Sequence, residues 1–221
     1  MKLIAVMNAR SLWWINLIDL NPLGRSLYPA LIPAIRDTYR FAKYPKSLGE
    51  IDERAGIKFE DGEFTGQSGI PLMVNLTIYH EGLIVDTRSN TKDSDAIVEQ
   101  GLTWLSRDFG LTYKPEMVRK KGYVSELHVY SDRHLEALNP GLEALASKLK
   151  SLLTVSRGTV PFAPIGVTIG PDPEAEEQPA SFRFERVLGA PWSENRYYSI
   201  APVPTDVHLD LLNEFEDLLT G

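Results

Sequence analysis

A strand–turn–strand–helix pattern in the middle of the chain restricts the fold more than any other part of the sequence. Leu72–His80 and Leu83–Arg88 alternate apolar and polar residues and are joined at Glu81-Gly82, a dipeptide typical of tight hairpin turns. Apolar residues at helical spacing follow from Lys92 to Phe109, and Gly110 is well placed to end that helix. The pattern predicts an antiparallel hairpin followed by an amphipathic helix.

Turn-forming and helix-breaking residues determine the prediction for two other segments. The dipeptide Asp61-Gly62 lies within an alternating stretch, residues 57–65, and predicts a second hairpin with a tight turn. A first strand is predicted over residues 2–7, whereas the segment around Trp13-Trp14 precedes several helix breakers and is interpreted as a short helix or an irregular loop.

The same reasoning predicts the remaining elements. Strands are expected at 123–130, 165–169, 182–188 and 197–200. Helices are expected within 26–43, where Pro33 marks the start or a kink, from Asn139-Pro140 with Leu142, Leu145, Leu149 and Leu152 on one face, and from Pro204 to the end.

Hairpins dominate the connections, and hairpins make antiparallel pairs. The fold class is therefore predicted to be α+β, a mainly antiparallel sheet with three to four helices packed on one face. The sheet should have one apolar and one polar face, because successive strand residues point to opposite sides. We expect a single α+β domain over residues 1–221, with a minor subdivision conceivable near 156–180.

Charge and cysteine content narrow the functional classes. The 221 residues include no cysteine, which excludes disulfides, thiolate metal sites and a cysteine nucleophile, and fits a cytoplasmic protein. The net charge of −7 makes nucleic-acid binding unlikely. Apolar runs are too short to span a bilayer, so a soluble chain without membrane association is expected. No phosphate-binding glycine loop occurs, and no cofactor is predicted.

The polar sheet face gathers the weak catalytic candidates Asp86, Glu126 and His128. Two carboxylates and a histidine can hold a divalent metal or act as acid and base, which allows a metal-dependent hydrolase or nuclease. The spacing resembles the E-x-K pattern of metal-dependent nucleases, with His128 where that pattern has lysine. A solvated or partner-covered face explains these residues more simply. No metal site is predicted, and the other histidines lack a helical metal-binding partner.

Adjacent tryptophans suggest a contact surface instead. Neighbouring residues point in different directions, so a narrow core rarely takes both Trp13 and Trp14, and tryptophan is enriched at interface hot spots. Burial of both rings between helix and sheet is the alternative. With Leu17 the two tryptophans form the predicted partner-binding site. A weak nucleic-acid site is conceivable at four basic residues, Lys114, Arg119, Lys120 and Lys121.

The chain lacks any strong catalytic signature. We therefore expect a non-enzymatic subunit or accessory protein of an intracellular assembly, which acts through contacts with a protein partner or with itself. A metal-dependent hydrolase or nuclease acting from the polar sheet face is the alternative.

Overall fold

The computed structural model describes residues 1–66, 69–152, 154–155, 158–159 and 161–219. Within them the chain forms one eight-stranded antiparallel sheet, a separate two-stranded pair and five α-helices. The predicted α+β class with a mainly antiparallel sheet is confirmed. The helix count exceeds the prediction, partly because a four-residue helix follows the first strand.

The strands and helices have the following bounds. The strands are β1 (Lys2–Trp14), β2 (Ile57–Thr65), β3 (Pro71–Tyr79), β4 (Gly82–Thr87), β5 (Lys120–Tyr130), β6 (Thr154–Val155), β7 (Gly158–Thr159), β8 (Gly166–Ile169), β9 (Phe182–Arg186) and β10 (Arg196–Ala201). The α-helices are α1 (Leu17–Leu20), α2 (Tyr28–Tyr39), α3 (Thr91–Phe109), α4 (Pro140–Leu152) and α5 (Thr205–Leu218). The strand order in the large sheet is β2-β3-β4-β1-β5-β10-β9-β8, and β6 pairs with β7.

The chain divides into two compact units. The larger unit comprises Val6–Ser125 with Val203–Thr205, and the smaller unit comprises Met1–Ala5, Glu126–Pro202 and Asp206–Gly221. The expected single domain stays a prediction. Of the segment 156–180, where a subdivision was considered, residues 156, 157 and 160 lie outside the described residues.

The predicted hairpin and helix at the centre of the chain are confirmed. β3 pairs with β4 through the turn at residues 80–81, and α3 follows at once. Asn90 caps α3, its side chain accepting a hydrogen bond from the Lys92 amide at 2.8 Å. Gly110 ends the helix in the left-handed conformation, at a φ of 69°. The hairpin turn and the residues that cap α3 therefore define this hairpin and helix.

The core of the larger unit lies between α2, α3 and one side of the sheet. In β4, Leu83, Val85 and Thr87 are buried, whereas Ile84 and Asp86 on the other side are half-buried. This alternation confirms a buried and a more exposed side of the sheet in the larger unit, but apolar Ile84 shows that the outer side is not uniformly polar. α2 begins at Tyr28 and contains Pro33, so it does not begin near that proline.

The predicted turn at Asp61-Gly62 is wrong. β2 continues through both residues, and its register with β3 shifts between Phe59 and Gly62, which is a β-bulge. Asp61 takes a positive φ of 56°, and its amide donates a hydrogen bond to the Asn75 side chain at 2.8 Å. A Cβ at position 62 would lie 2.4 Å from the Phe41 ring. The glycine therefore permits packing of an aromatic ring rather than a chain reversal.

The interpretation of Trp13-Trp14 as a short helix or loop is also wrong, because β1 extends to Trp14. Its second half pairs with β4 from Ala9↔Thr87 to Trp14↔Gly82. Buried and more exposed residues alternate along it, but apolar Leu12 and Trp14 occupy its outer side. The strand consequently lacks the polar alternation by which β-strands are predicted.

The core of the smaller unit is aromatic. The Phe184 ring stacks on Tyr197 at 4.4 Å between centroids, and Phe215 of α5 packs on Phe184 at 4.9 Å. His208 of α5 is fully buried, with its Nε2 atom 2.9 Å from the Ser199 hydroxyl. The predicted closing helix thus supplies side chains to this core.

Candidate functional site

Helix α4 of the smaller unit presents an exposed leucine stripe. The four leucines predicted to share one face of this helix are 47%, 54%, 39% and 69% exposed: Leu142, Leu145, Leu149 and Leu152. Among the residues of α4, Ala146 is buried. A surface helix normally turns its apolar stripe toward the core. The expectation that helices pack their apolar faces on the sheet is therefore incorrect for α4.

The two tryptophans of the predicted partner site have opposite environments. Trp13 is 1% exposed and lies within the core, whereas Trp14 is 37% exposed on the outer side of the sheet. Leu17 is half-buried and lines an apolar cavity of the larger unit. Of the three predicted partner-binding residues, Trp14 is the one with a substantially exposed side chain.

Trp14 lies against the neighbouring strand. A Cβ at Gly122 would come within 2.8 Å of the Trp14 ring, so the ring lies directly over the glycine backbone. The Lys120 ammonium is 5.6 Å from the ring centroid, within the range of a cation–π interaction. Trp14 and Lys120 were predicted to belong to two separate sites, and the structure brings them together. We call Trp14, Lys120 and Gly122 the Trp14 edge.

The basic residues of the weak nucleic-acid site have several local partners. Arg119 lies 3.7 Å from the Asp19 carboxylate, and Lys120 contacts Trp14 as described. The Lys121 ammonium lies 3.5 Å from the Trp13 ring centroid and 3.8 Å from the Asp95 carboxylate. Lys114 is exposed. Three of these four basic side chains already contact carboxylates or aromatic rings of the same chain. This arrangement suits packing within a protein better than binding along a phosphate backbone. Nucleic-acid binding at these four residues stays a prediction.

Asp95 of α3 connects helix and sheet beneath Trp13. The Trp13 indole N–H donates to its carboxylate at 2.7 Å, and the Tyr123 hydroxyl donates at 2.9 Å. The Ser11 hydroxyl donates a third hydrogen bond to the same carboxylate. Burial and the bond to Asp95 raise the pKa of Tyr123 to about 12. These polar groups are hydrogen-bonded to one another. Asp95 therefore links α3 to strands β1 and β5, which is a structural role.

The weak catalytic candidates are engaged within their own units. In the larger unit, Arg10 donates two hydrogen bonds to Asp86, at 2.7 and 3.0 Å. In the smaller unit, the Tyr198 hydroxyl donates to Glu126. Across the described ranges, no three or more His, Asp or Glu side chains are grouped so that they could hold a metal ion. The metal-dependent hydrolase or nuclease stays a prediction without a supporting geometry.

His128 provides a test of the electrostatics in the smaller unit. Burial, and then the positive charge of Arg196, lower the pKa of His128 below its ordinary value of 6.5. The unfolded chain therefore binds a proton at His128 more readily than the folded chain does. The free energy of unfolding should consequently fall as the pH drops through about 6.5.

Urea unfolding of the wild type and His128→Gln at pH 7.5 and pH 5.5 measures this contribution. The variant should lose less stability than the wild type over this interval, because glutamine does not titrate. Arg196→Gln should reduce the pH dependence in the same direction. An unchanged slope in His128→Gln would show that this histidine titrates alike in both states.

No protein-family model matches the chain, and a search of curated proteins finds no match. In the part of the chain that the structure describes, no helix has the length and apolar character needed to cross a membrane. The functional assignment therefore depends on the surfaces and cavities of the molecule itself.

Proposed function

We propose that this chain is a non-enzymatic accessory protein or subunit that acts through protein–protein contacts, with the leucine stripe of α4 as its main contact surface. The exposure of four leucines at successive turns of one helix is the observation that supports this proposal most directly. The absence of cysteine is compatible with a cytoplasmic assembly.

Burial of these leucine side chains in a partner would supply free energy for binding. Complete burial of one leucine side chain is worth about 1.5–3 kcal/mol, so a stripe of four gives a partner a substantial driving force. Amphipathic helices commonly bind an apolar groove through anchors at helical spacing. α4 has such anchors at Leu142, Leu145 and Leu149, each more than a third exposed.

The Trp14 edge supports a second contact on the larger unit. Its indole ring is partly exposed and fixed over Gly122, so little side-chain freedom is lost when a partner covers it. Lys120 beside it supplies a charge of the kind found at the rim of interfaces.

Site-directed photocrosslinking tests the proposal in cells. A photoreactive phenylalanine analogue at position 145 should form a discrete adduct with a protein, either a partner or a second copy of the chain. Sedimentation velocity of the purified chain then tells self-association from binding to another protein. Leu149→Glu should reduce the adduct at least tenfold, because a charge at the centre of the stripe opposes burial.

The matched control is Ser147→Glu, which adds the same charge at an exposed position of α4. It should leave the adduct unchanged. A monomeric chain with no adduct at position 145 would contradict the proposal. An adduct lost in Trp14→Ala but retained in Leu149→Glu would assign the contact to the Trp14 edge instead.

A further inference from the structure

The larger unit contains an apolar cavity of about 330 Å³ that extends from the surface into its core. Its walls come from α2, α3 and the inner side of β2, β3 and β4. Buried wall residues include Leu31, Ile35, Phe59, Val85 and Leu102. Protein interiors are normally packed without voids of this size. Side chains that line a void lose dispersion contacts on one side, so a ligand that fills it gains them.

The cavity reaches the surface beside the segment that connects α1 to α2. Ile18, Pro22, Gly24 and Arg25 line it and are exposed. Small-molecule sites combine an apolar interior with a few polar groups that fix orientation. The volume lies within the range for such sites, about 300–1,000 Å³. An exposed rim gives a ligand a path to the interior.

Two charged side chains line the cavity, and their local environments differ. Glu53 accepts a hydrogen bond from the Tyr28 hydroxyl and lies 3.2 Å from the His80 Nδ1 atom. The Arg25 guanidinium lies against the end of α3, where its Nη1 atom would be 3.4 Å from a Cβ on Gly110. Within the described residues, this guanidinium makes no ion pair or side-chain hydrogen bond. A cationic group at the rim is therefore available to an anion.

We propose that the cavity binds a medium-chain carboxylate, with the hydrocarbon chain among the buried apolar residues and the carboxylate on Arg25. A water molecule takes about 30 Å³ in the liquid and a methylene group is of similar size, so the cavity accommodates roughly ten carbon atoms. Arginine binds a carboxylate through paired N–H donors. This proposal concerns the larger unit and is independent of protein contacts through α4.

Binding of decanoate to the full chain tests the proposal. Isothermal titration calorimetry below the micelle-forming concentration should give saturable 1:1 binding, and decanoate should raise the thermal unfolding midpoint because it binds the folded state. Arg25→Gln should raise the Kd for decanoate at least tenfold. The same variant should leave the Kd for decan-1-ol unchanged, because that molecule has no charge.

Leu31→Phe tests the position of the hydrocarbon chain. The added ring atoms should occupy the void, so decanoate binding should fall at least tenfold while the thermal midpoint without ligand is retained or rises. Ile35→Phe repeats the test on the next turn of α2 in case the first variant misfolds. Absence of decanoate binding to the wild type would overturn the proposal. So would binding that is unaffected by Arg25→Gln, or by both phenylalanine variants when they are folded.

Discussion

Replacing Trp13 by alanine should lower the free energy of unfolding by about 3–5 kcal/mol, the range for removal of a large buried aromatic side chain. The same replacement at its neighbour Trp14 should cost about 1 kcal/mol, which is typical of an average substitution. Trp13 is 1% exposed and Trp14 is 37% exposed. Two adjacent residues of one type should therefore differ several-fold in their effect on stability.

The loss of stability expected for Trp13→Ala has an apolar and a polar part. Trp13→Ala leaves a void beneath the sheet and removes the surface on which the Lys121 ammonium rests, 3.5 Å from the ring centroid. Trp13→Phe keeps most of the apolar volume but loses the indole N–H that donates to Asp95 at 2.7 Å. A hydrogen bond to a charged group is worth about 1.5–3 kcal/mol, so the phenylalanine variant should fall between wild type and alanine.

Urea unfolding followed by far-UV circular dichroism measures these differences without relying on tryptophan fluorescence. The three variants should rank Trp14→Ala, Trp13→Phe and Trp13→Ala in order of increasing destabilisation. Equal losses in Trp13→Ala and Trp14→Ala would contradict the assignment of one ring to the core and one to the surface.

The sequence predicted elements best where local chemistry and tertiary packing agree. The β3–β4 hairpin, α3 and the glycine that ends the helix were predicted from alternating strands, a turn signal and helical spacing, and all three are present. The turn itself lies one residue earlier than predicted, at residues 80–81, and Gly82 begins β4. A strand was also predicted over residues 123–130, and β5 includes them; buried and half-buried residues alternate along its second half.

Prediction failed where tertiary packing overrides a local signal. Asp61-Gly62 has the residues of a tight turn, yet pairing of β2 with β3 continues on both sides and the dipeptide forms a bulge. The glycine is needed because Phe41 occupies the space where a side chain would project. That contact joins residues distant in sequence, so no local pattern indicates it.

The candidate functional surfaces, too, could be predicted from the sequence only in part. The leucine stripe of α4 was visible in the sequence, but a stripe that faces solvent has the same spacing as one that faces a core. One of the two tryptophans was expected to face outward, but the sequence did not indicate that it is Trp14. The contact of Trp14 with Lys120 required the strand pairing to be known. The cavity left no sequence signal, because its wall residues have the composition of an ordinary core.

Removal of the negative charge at Glu136 should destabilise the smaller unit by about 2–3 kcal/mol. Arg186 donates two hydrogen bonds to this carboxylate, at 2.8 and 3.0 Å, and its side chain is 6% exposed. Its guanidinium also lies 5.4 Å from the ring centroids of Trp192 and Tyr197. Glu136→Gln keeps the size of the side chain but leaves this buried cation without its counter-charge. Breaking a fully buried pair costs about 3–5 kcal/mol, and the 26% exposure of the Glu136 side chain reduces that figure.

A double-mutant cycle separates the charge effect from packing. Arg186→Met removes the buried cation and retains an unbranched side chain that can lie on the same rings. Combining it with Glu136→Gln should cost less than the sum of the single changes, because no unpaired charge remains. The control Asp108→Asn, in the exposed Arg107–Asp108 pair, should leave stability unchanged within experimental error. Additive effects of the two replacements would show that Arg186 and Glu136 contribute independently. The buried charge would then be compensated by the aromatic rings and by the Trp192 backbone carbonyl, which accepts a hydrogen bond from Arg186 at 3.1 Å.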